Sequence, residues 1–182
     1  MIGRDELLGS LVRRLGGQRL MMLTGCAGIG KSTLALALAE RVLPRYRDGV
    51  WWLDLATVQA PNRLLDYLSE TLHLQPCVGA HALCEQLAAR QLLLVLDNAD
   101  LLLGACRHLV HTLQARAPQV SVLLTSRETL QAPGEWVHHV PRLALPTSAD
   151  RGDVEQAMLY PALQLFVAVS YTHLTLPTSD VV

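Results

Sequence analysis

An α/β fold built on a parallel sheet is the arrangement this sequence predicts, and three observations predict it. Short apolar runs recur along the chain, stripes of leucine and alanine at helical spacing separate them, and a glycine-rich segment lies at the first passage from run to stripe. Parallel strands need a crossover, which a helix supplies, so this alternation places helices on both faces of the sheet. The composition is sufficient for it: 182 residues, 51% of them hydrophobic, can fill the core of one domain and are too apolar for disorder.

Each element has its own signal. Leu20-Met-Met-Leu-Thr24 has the length and character of a buried parallel strand, and Leu34, Ala35, Leu38, Ala39 and Val42 then recur at helical spacing until Pro44 ends the pattern. Val50 to Leu55 follows the turn residues Asp48 and Gly49 and is rich in strand formers. Leu64, Leu65, Leu68 and Leu72, then Leu83, Leu87 and Ala88, predict two helices within residues 62–90, parted by a loop around Pro76 and Gly79. Leu92 to Leu96 is the most hydrophobic run and ends at Asp97. Ala105, Leu109 and Leu113 predict a helix, Val120 to Ser126 a strand ending at Arg127, and Trp136 to Val140 a last strand.

Between the first strand and helix stands Gly25-Cys-Ala-Gly-Ile-Gly-Lys31-Ser32-Thr33, a match to G-x-x-x-x-G-K-[ST]. Its glycines let backbone N–H groups turn inward around a pyrophosphate, and the following helix offers its positive end. Lys31 reaches the β and γ oxygens and Ser32 can ligate Mg²⁺. The implied ligand is a purine nucleoside triphosphate. An acid that emerges from a buried strand beside this loop, as Asp97 does, holds the Mg²⁺ hydration shell in a Walker B element. Arg127, at the tip of a further strand, is placed to sense the γ-phosphate, since a guanidinium meets phosphate in bidentate geometry.

Other chemistries find little support. Net charge is −1 and no run of Lys or Arg exceeds two, so this segment lacks the footprint of a nucleic-acid binder. Cys26, Cys77, Cys84 and Cys106 form no CxxC pair, which suits a reducing cytosol better than a disulfide frame or zinc site. No apolar stretch approaches the roughly 18 residues of a membrane span, and the acids near the N-terminus are unlike a signal peptide, so a cytoplasmic location is expected. His108 and His111 share a helix face without a third ligand, and His138 and His139 alternate along a strand. There is no G-x-S-x-G elbow, no N-K-x-D guanine motif and no arginine-rich kinase lid.

The ordered motifs resemble the STAND class of signal-transduction ATPases, which includes the NB-ARC proteins, and look closest to the ATPase module of large bacterial regulators of the LuxR and related types. The likeness covers about residues 2 to 167. It includes Ile2-Gly3-Arg4-Asp5-Glu6, the phosphate loop, Asp48 to Leu55, Leu92 to Asp97 with Asn98, Leu124 to Glu128, Pro133-Gly-Glu135 and Leu143 to Pro146. The resemblance implies a five-stranded P-loop NTPase sheet of the additional-strand type, in the order 5-1-4-3-2. It implies adenine and ribose contacts near Gly3 and Arg4, with Pro146 touching the base from the far side. Phosphate contacts fall to Gly25 and to Gly28, Ile29, Gly30, Lys31, Ser32 and Thr33, and Mg²⁺ to Ser32 and Asp97. Lys31, Asp97 and Arg127 would carry the chemistry.

One departure matters. Many members place a second acid directly after the Walker B aspartate, where this chain has Asn98, and an amide cannot act as a general base. Asp100 is the nearest substitute. Slow turnover is therefore expected, in keeping with a switch whose ATP and ADP states differ in shape.

By the same resemblance, residues 1–150 form the NTPase domain and residues 151–167 begin a helical subdomain. Residues 168–182 resemble a translated sequencing adapter and are expected not to be native. The expected role is an ATP/ADP-gated switch in a bacterial transcription regulator that self-associates in its full-length ATP state, with DNA contacted by an output domain outside this segment. The competing expectation is an AAA+ or origin-recognition type ATPase that remodels or loads by hydrolysis, against which Asn98 counts.

Overall fold

The computed structural model describes residues 4–76, 78–142, 160–162 and 164. The chain divides into two units, one formed by Leu8–Pro141 and the other by Met1–Leu7 with Arg142–Val182. In the second, the described residues include a single helical turn in which the Gln164 N–H donates to the Tyr160 carbonyl at 3.1 Å.

The larger unit carries the sheet. In chain order the elements are α1 (Asp5–Leu15), β1 (Leu20–Thr24), α2 (Lys31–Val42), β2 (Val50–Asp54), α3 (Leu64–Thr71), α4 (Gly79–Leu87), β3 (Leu93–Asp97), α5 (Leu103–Arg116), β4 (Ser121–Ser126) and β5 (Trp136–His139). All pairings are parallel, and the strands lie in the order β2-β3-β4-β1-β5, which read from the other edge is the expected 5-1-4-3-2. β4, late in sequence, is thus the additional strand between β1 and β3.

The apolar runs explain the layering. Every residue of β1 and β3 is buried, as continuous apolar strands covered on both faces must be. Side chains alternate across the sheet. Met22, Leu94, Leu96, Val122 and Leu124 join one core with Leu64, Leu68, Leu83, Leu87, Leu109 and Leu113 of α3, α4 and α5. α2 packs against β1, β3 and β4 through the row Leu34, Leu38 and Val42, all fully buried.

Two features escape a reading of the patterns. α1 has a buried stripe of Leu8, Leu11 and Leu15, the i, i+3, i+7 spacing of an amphipathic helix, directly after the Ile2–Glu6 motif. Arg19, just ahead of β1, caps α5 from a distance. Its guanidinium donates to the carbonyls of Ala117 at 2.8 Å, Gln114 at 3.3 Å and Leu113 at 3.4 Å, which satisfies acceptors a helix end leaves open and sets a cation at its negative pole. Arg19→Ala is expected to destabilise the fold by about 2 kcal/mol, read as a lower urea midpoint at unchanged slope.

The Pro133-Gly-Glu135 segment also has a structural role. Gly134 turns the chain at φ 71°, and the Glu135 carboxylate accepts the Leu130 N–H at 2.9 Å and the Ala132 N–H at 3.2 Å, closing the loop between β4 and β5. Arg107 and Gln114 of α5 donate to the carbonyls of Leu130 and Pro133 at 2.7 and 2.9 Å and pin that loop to the helix.

Candidate functional site

In an all-parallel sheet every strand presents its carboxyl end at the same edge. The register puts Thr24, Ser126 and His139 side by side there, with Asp54 opposite Asp97. The crevice at such an edge is where open α/β sheets hold ligands. The loop leaving β1 supplies its floor. At Gly25 a side chain would meet the Val140 carbonyl oxygen at 3.3 Å, and Gly30 enters α2 in the left-handed conformation at φ 89°, so both positions call for glycine. Gly30 provides no side-chain cap, so the first N–H groups of α2 are left to an anion.

The side chains converge on one cleft of about 450 Å³. Gly28, Gly30, Lys31, Ser32 and Thr33 line it from the loop and α2, and Asn98, Asp100 and Arg127 from the ends of β3 and β4. Lys31 donates through Nζ to the Gly25 carbonyl at 2.9 Å and the Cys26 carbonyl at 3.1 Å. Ser32 Oγ donates to Asp97 Oδ1 at 2.8 Å, and the Thr125 hydroxyl of the additional strand donates to the same oxygen. Asp97 is only 4% exposed, so those donors offset the cost of holding a carboxylate in the sheet edge.

Asp100 and Arg127 form a second group. Asp100 Oδ1 accepts the Arg127 N–H at 2.7 Å, the Arg127 Nε at 3.2 Å and the Ser126 hydroxyl at 3.0 Å. Burial alone would raise the Asp100 pKa. The hydrogen bonds from the Arg127 backbone, its guanidinium and Ser126, together with the guanidinium charge, outweigh it and hold the carboxyl below its usual range. A carboxylate so engaged anchors the arginine and is a weaker base for it.

Of the residues singled out in the sequence, Lys31, Ser32, Thr33, Asp100 and Arg127 line the cleft, and Asp97 is bonded to Ser32 beside it. Gly25 and Ile29 shape the loop: a side chain added at Gly25 would meet the Ile29 Cγ2 at 3.3 Å. Arg4 is buried and directly precedes α1, while Gly3, Pro146 and residues 143–159 lie outside the described residues. Asp54 belongs to no sequence motif of its own. It closes an apolar strand as Asp97 does, one strand over, and accepts from Asn98 Nδ2 at 2.9 Å.

The donor set fits Mg²⁺. It is all oxygen, as a hard cation requires, with Ser32 Oγ and Asp97 Oδ1 2.8 Å apart beside the cleft. Among the described residues no group of three or more His, Cys, Asp or Glu side chains could hold a metal by itself, which leaves a small cation to be completed by phosphates and water. His108 and His111 are exposed on α5, and His139 is bonded to Thr24 at 2.6 Å. Cys26 is exposed, Cys84 and Cys106 are buried, and burial pushes the Cys106 thiol up to about 12. Among the described residues no helix is long and apolar enough to cross a membrane.

A glycine loop after β1, an acid at the end of β3 and a strand inserted between them define a P-loop ATPase domain of the additional-strand type. The chain belongs to the AAA domain family, whose model matches residues 13–132. It is 34% identical over 159 residues to an uncharacterized protein of Mycobacterium tuberculosis, a match over 86% of this chain and 40% of that protein. A second M. tuberculosis relative, provisionally named an HTH-type transcriptional regulator, is 32% identical over 138 residues, 74% of this chain and 15% of that protein. The chain therefore spans well under half the length of these relatives.

Among solved structures, the Drosophila ORC bound to DNA superposes with a TM-score of 0.62 at 19% identity, over 81% of this chain and 44% of that one. The Aeropyrum pernix ORC2 protein, solved in ADPNP and ADP complexes, gives 0.57 at 18% identity, over 87% and 52%. At those identities the likeness is one of fold.

Proposed function

We propose that this AAA-type domain is an ATP/ADP-binding switch module of the STAND/NB-ARC kind from a bacterial transcription regulator. The observation that carries the reading is the convergence of Lys31, Ser32, Asp97 and Arg127 at one cleft on the carboxyl edge of the sheet. The α2 N–H groups and Lys31 bind the phosphates, and Ser32 and Asp97 hold Mg²⁺. Held there, Mg²⁺ would supply positive charge against the phosphates. Arg127, moored by Asp100, senses the γ-phosphate: a triphosphate competes for its guanidinium and a diphosphate leaves it paired.

The regulatory setting rests on the relative named an HTH-type regulator and on the family motifs. In this reading residues 1–150 are the NTPase domain, residues 151–167 open a helical subdomain, and residues 168–182 take no part. The whole protein would self-associate in its ATP state and contact DNA through another domain. Asn98, where an acid would drive rapid turnover, favours a switch over a loader of the origin-recognition type.

The test is a titration of fluorescent ADP and ATP analogues with Mg²⁺, with GTP as competitor, into the 182-residue chain. Saturable binding that ATP and ADP displace and GTP does not is the expected result. A folded chain that binds neither nucleotide would overturn the reading.

A further inference from the structure

We propose that Asp54 is a positioning residue for the water that attacks the γ-phosphorus, acting through Asn98, whose amide oxygen it directs to the cleft. This role rests on the reading of the cleft as an ATP-hydrolysing site and gives that site the element its sequence lacks, a group to hold the water.

The geometry begins with register. β2 and β3 end level, Asp54 opposite Asp97, so two carboxylates stand at neighbouring strand tips. Asn98 follows at φ 58°, a left-handed conformation that asparagine tolerates better than most residues. Its N–H donates to Thr125 Oγ1 at 3.0 Å, and its side chain turns back between the two tips. Nδ2 carries two hydrogens and each has a carboxylate: Asp54 Oδ1 at 2.9 Å and Asp97 Oδ2 at 3.3 Å.

A planar amide whose N–H groups both point at the strand tips has only Oδ1 left at its other end. Asn98 is exposed and lines the cleft with Lys31, Ser32 and Arg127, so the group it offers there is an acceptor. An acceptor receives an O–H of water and leaves the oxygen lone pair free to attack. Asp54 is itself held: its Oδ1 accepts the Ala56 N–H at 3.0 Å and its carbonyl accepts the Thr57 hydroxyl at 2.7 Å, which fixes the strand tip in a 3₁₀ turn. With Asp54 removed the amide keeps one carboxylate partner and is free to turn its NH₂ toward the water.

In the step this serves, the water oxygen bonds to the γ-phosphorus as the bond to the β,γ-bridging oxygen breaks, its electron pair leaving on ADP. The water proton passes to a γ-phosphate oxygen, because a neutral amide does not take it. The products are ADP and inorganic phosphate.

Single-turnover hydrolysis of Mg²⁺–ATP, with the 182-residue chain in excess, tests this in a cycle of four proteins: wild type, Asp54→Ala, Asn98→Gly and the double variant. Glycine keeps the left-handed backbone without the amide. Each single variant is expected to turn over about tenfold more slowly with ATP affinity within about twofold of wild type, and Asp54→Ala is expected to add nothing in the Asn98→Gly background. In the wild type the Asn98 side-chain amide protons should exchange slowly by NMR, and Asp54→Ala should abolish that protection. Full additivity in the cycle, a loss of ATP affinity equal to the loss of rate, or an Asn98 amide indifferent to Asp54 would each overturn the role. A wild type no faster than Lys31→Ala would defeat hydrolysis at this cleft altogether, an outcome the Lys31→Ala comparison separates from the others.

Discussion

Lys31→Ala is expected to lower affinity for both ATP and ADP at least about 100-fold, close to 3 kcal/mol. The ammonium is the only Lys or Arg charge in the Gly25–Thr33 motif, on the first residue of α2. It has a second function that the geometry makes plain. Its bonds to the Gly25 and Cys26 carbonyls, at 2.9 and 3.1 Å, draw the loop around the place where N–H groups face an anion. Phosphate binding exchanges neutral carbonyl partners for charged ones, so the lysine is available at little cost. Alanine removes the charge and the tether together. Lys31→Arg keeps the charge with a planar head too broad for that fold-back, and is expected to recover little of the affinity. Isothermal titration with each nucleotide reads the effect. Binding by Lys31→Ala within threefold of wild type would sink the assignment of this loop to phosphate.

β1 and α2 end where the pattern predicts, because a glycine loop and Pro44 interrupt the apolar spacing on either side. β3 and β4 begin one residue later than their apolar runs: Leu92 and Val120 are buried but precede the ladder, so burial and strand pairing do not coincide there. The place of β4 between β1 and β3 was legible only through the family likeness, since nothing in an apolar run states which neighbour it pairs with.

Long-range partnerships were illegible in a deeper sense. Arg19 looks like one more charge before a strand until α5 is seen to end beside it. Asp100 reads as a spare acid near Asp97, yet its hydrogen bonds go to Ser126 and Arg127 on another strand. Asp54 matters because β2 and β3 are level at their tips, a register that no local pattern states. The common feature is that strand tips gather polar residues from distant segments. Local periodicity says that a residue lies at a tip, and only topology says which tips meet.

Asp97→Asn is expected to cut Mg²⁺-dependent ATP affinity at least tenfold, about 1.4 kcal/mol, and turnover at least about 100-fold, while ADP binding without Mg²⁺ changes little. The shape is kept and the loss is electrostatic. An amide oxygen in the Oδ1 position still accepts from Ser32 and Thr125. The amide nitrogen then faces Asn98 Nδ2, which now donates to Oδ2, so one donor meets another and Asn98 loses a partner. On the proposed reading Mg²⁺ would lose its one formally charged protein ligand, which Ser32 alone would not replace. Stability should stay close to level, because relief of the repulsion between two carboxylates at adjacent strand tips, Asp54 and Asp97, offsets the lost Asn98 bond. A variant that melts as late as the wild type and binds Mg²⁺–ATP poorly would mean that Asp97 is kept for the cation at the expense of stability. Unchanged Mg²⁺ dependence in a folded Asp97→Asn protein would remove this residue from the metal site and leave its bonds to Ser32 and Thr125 as structural ones.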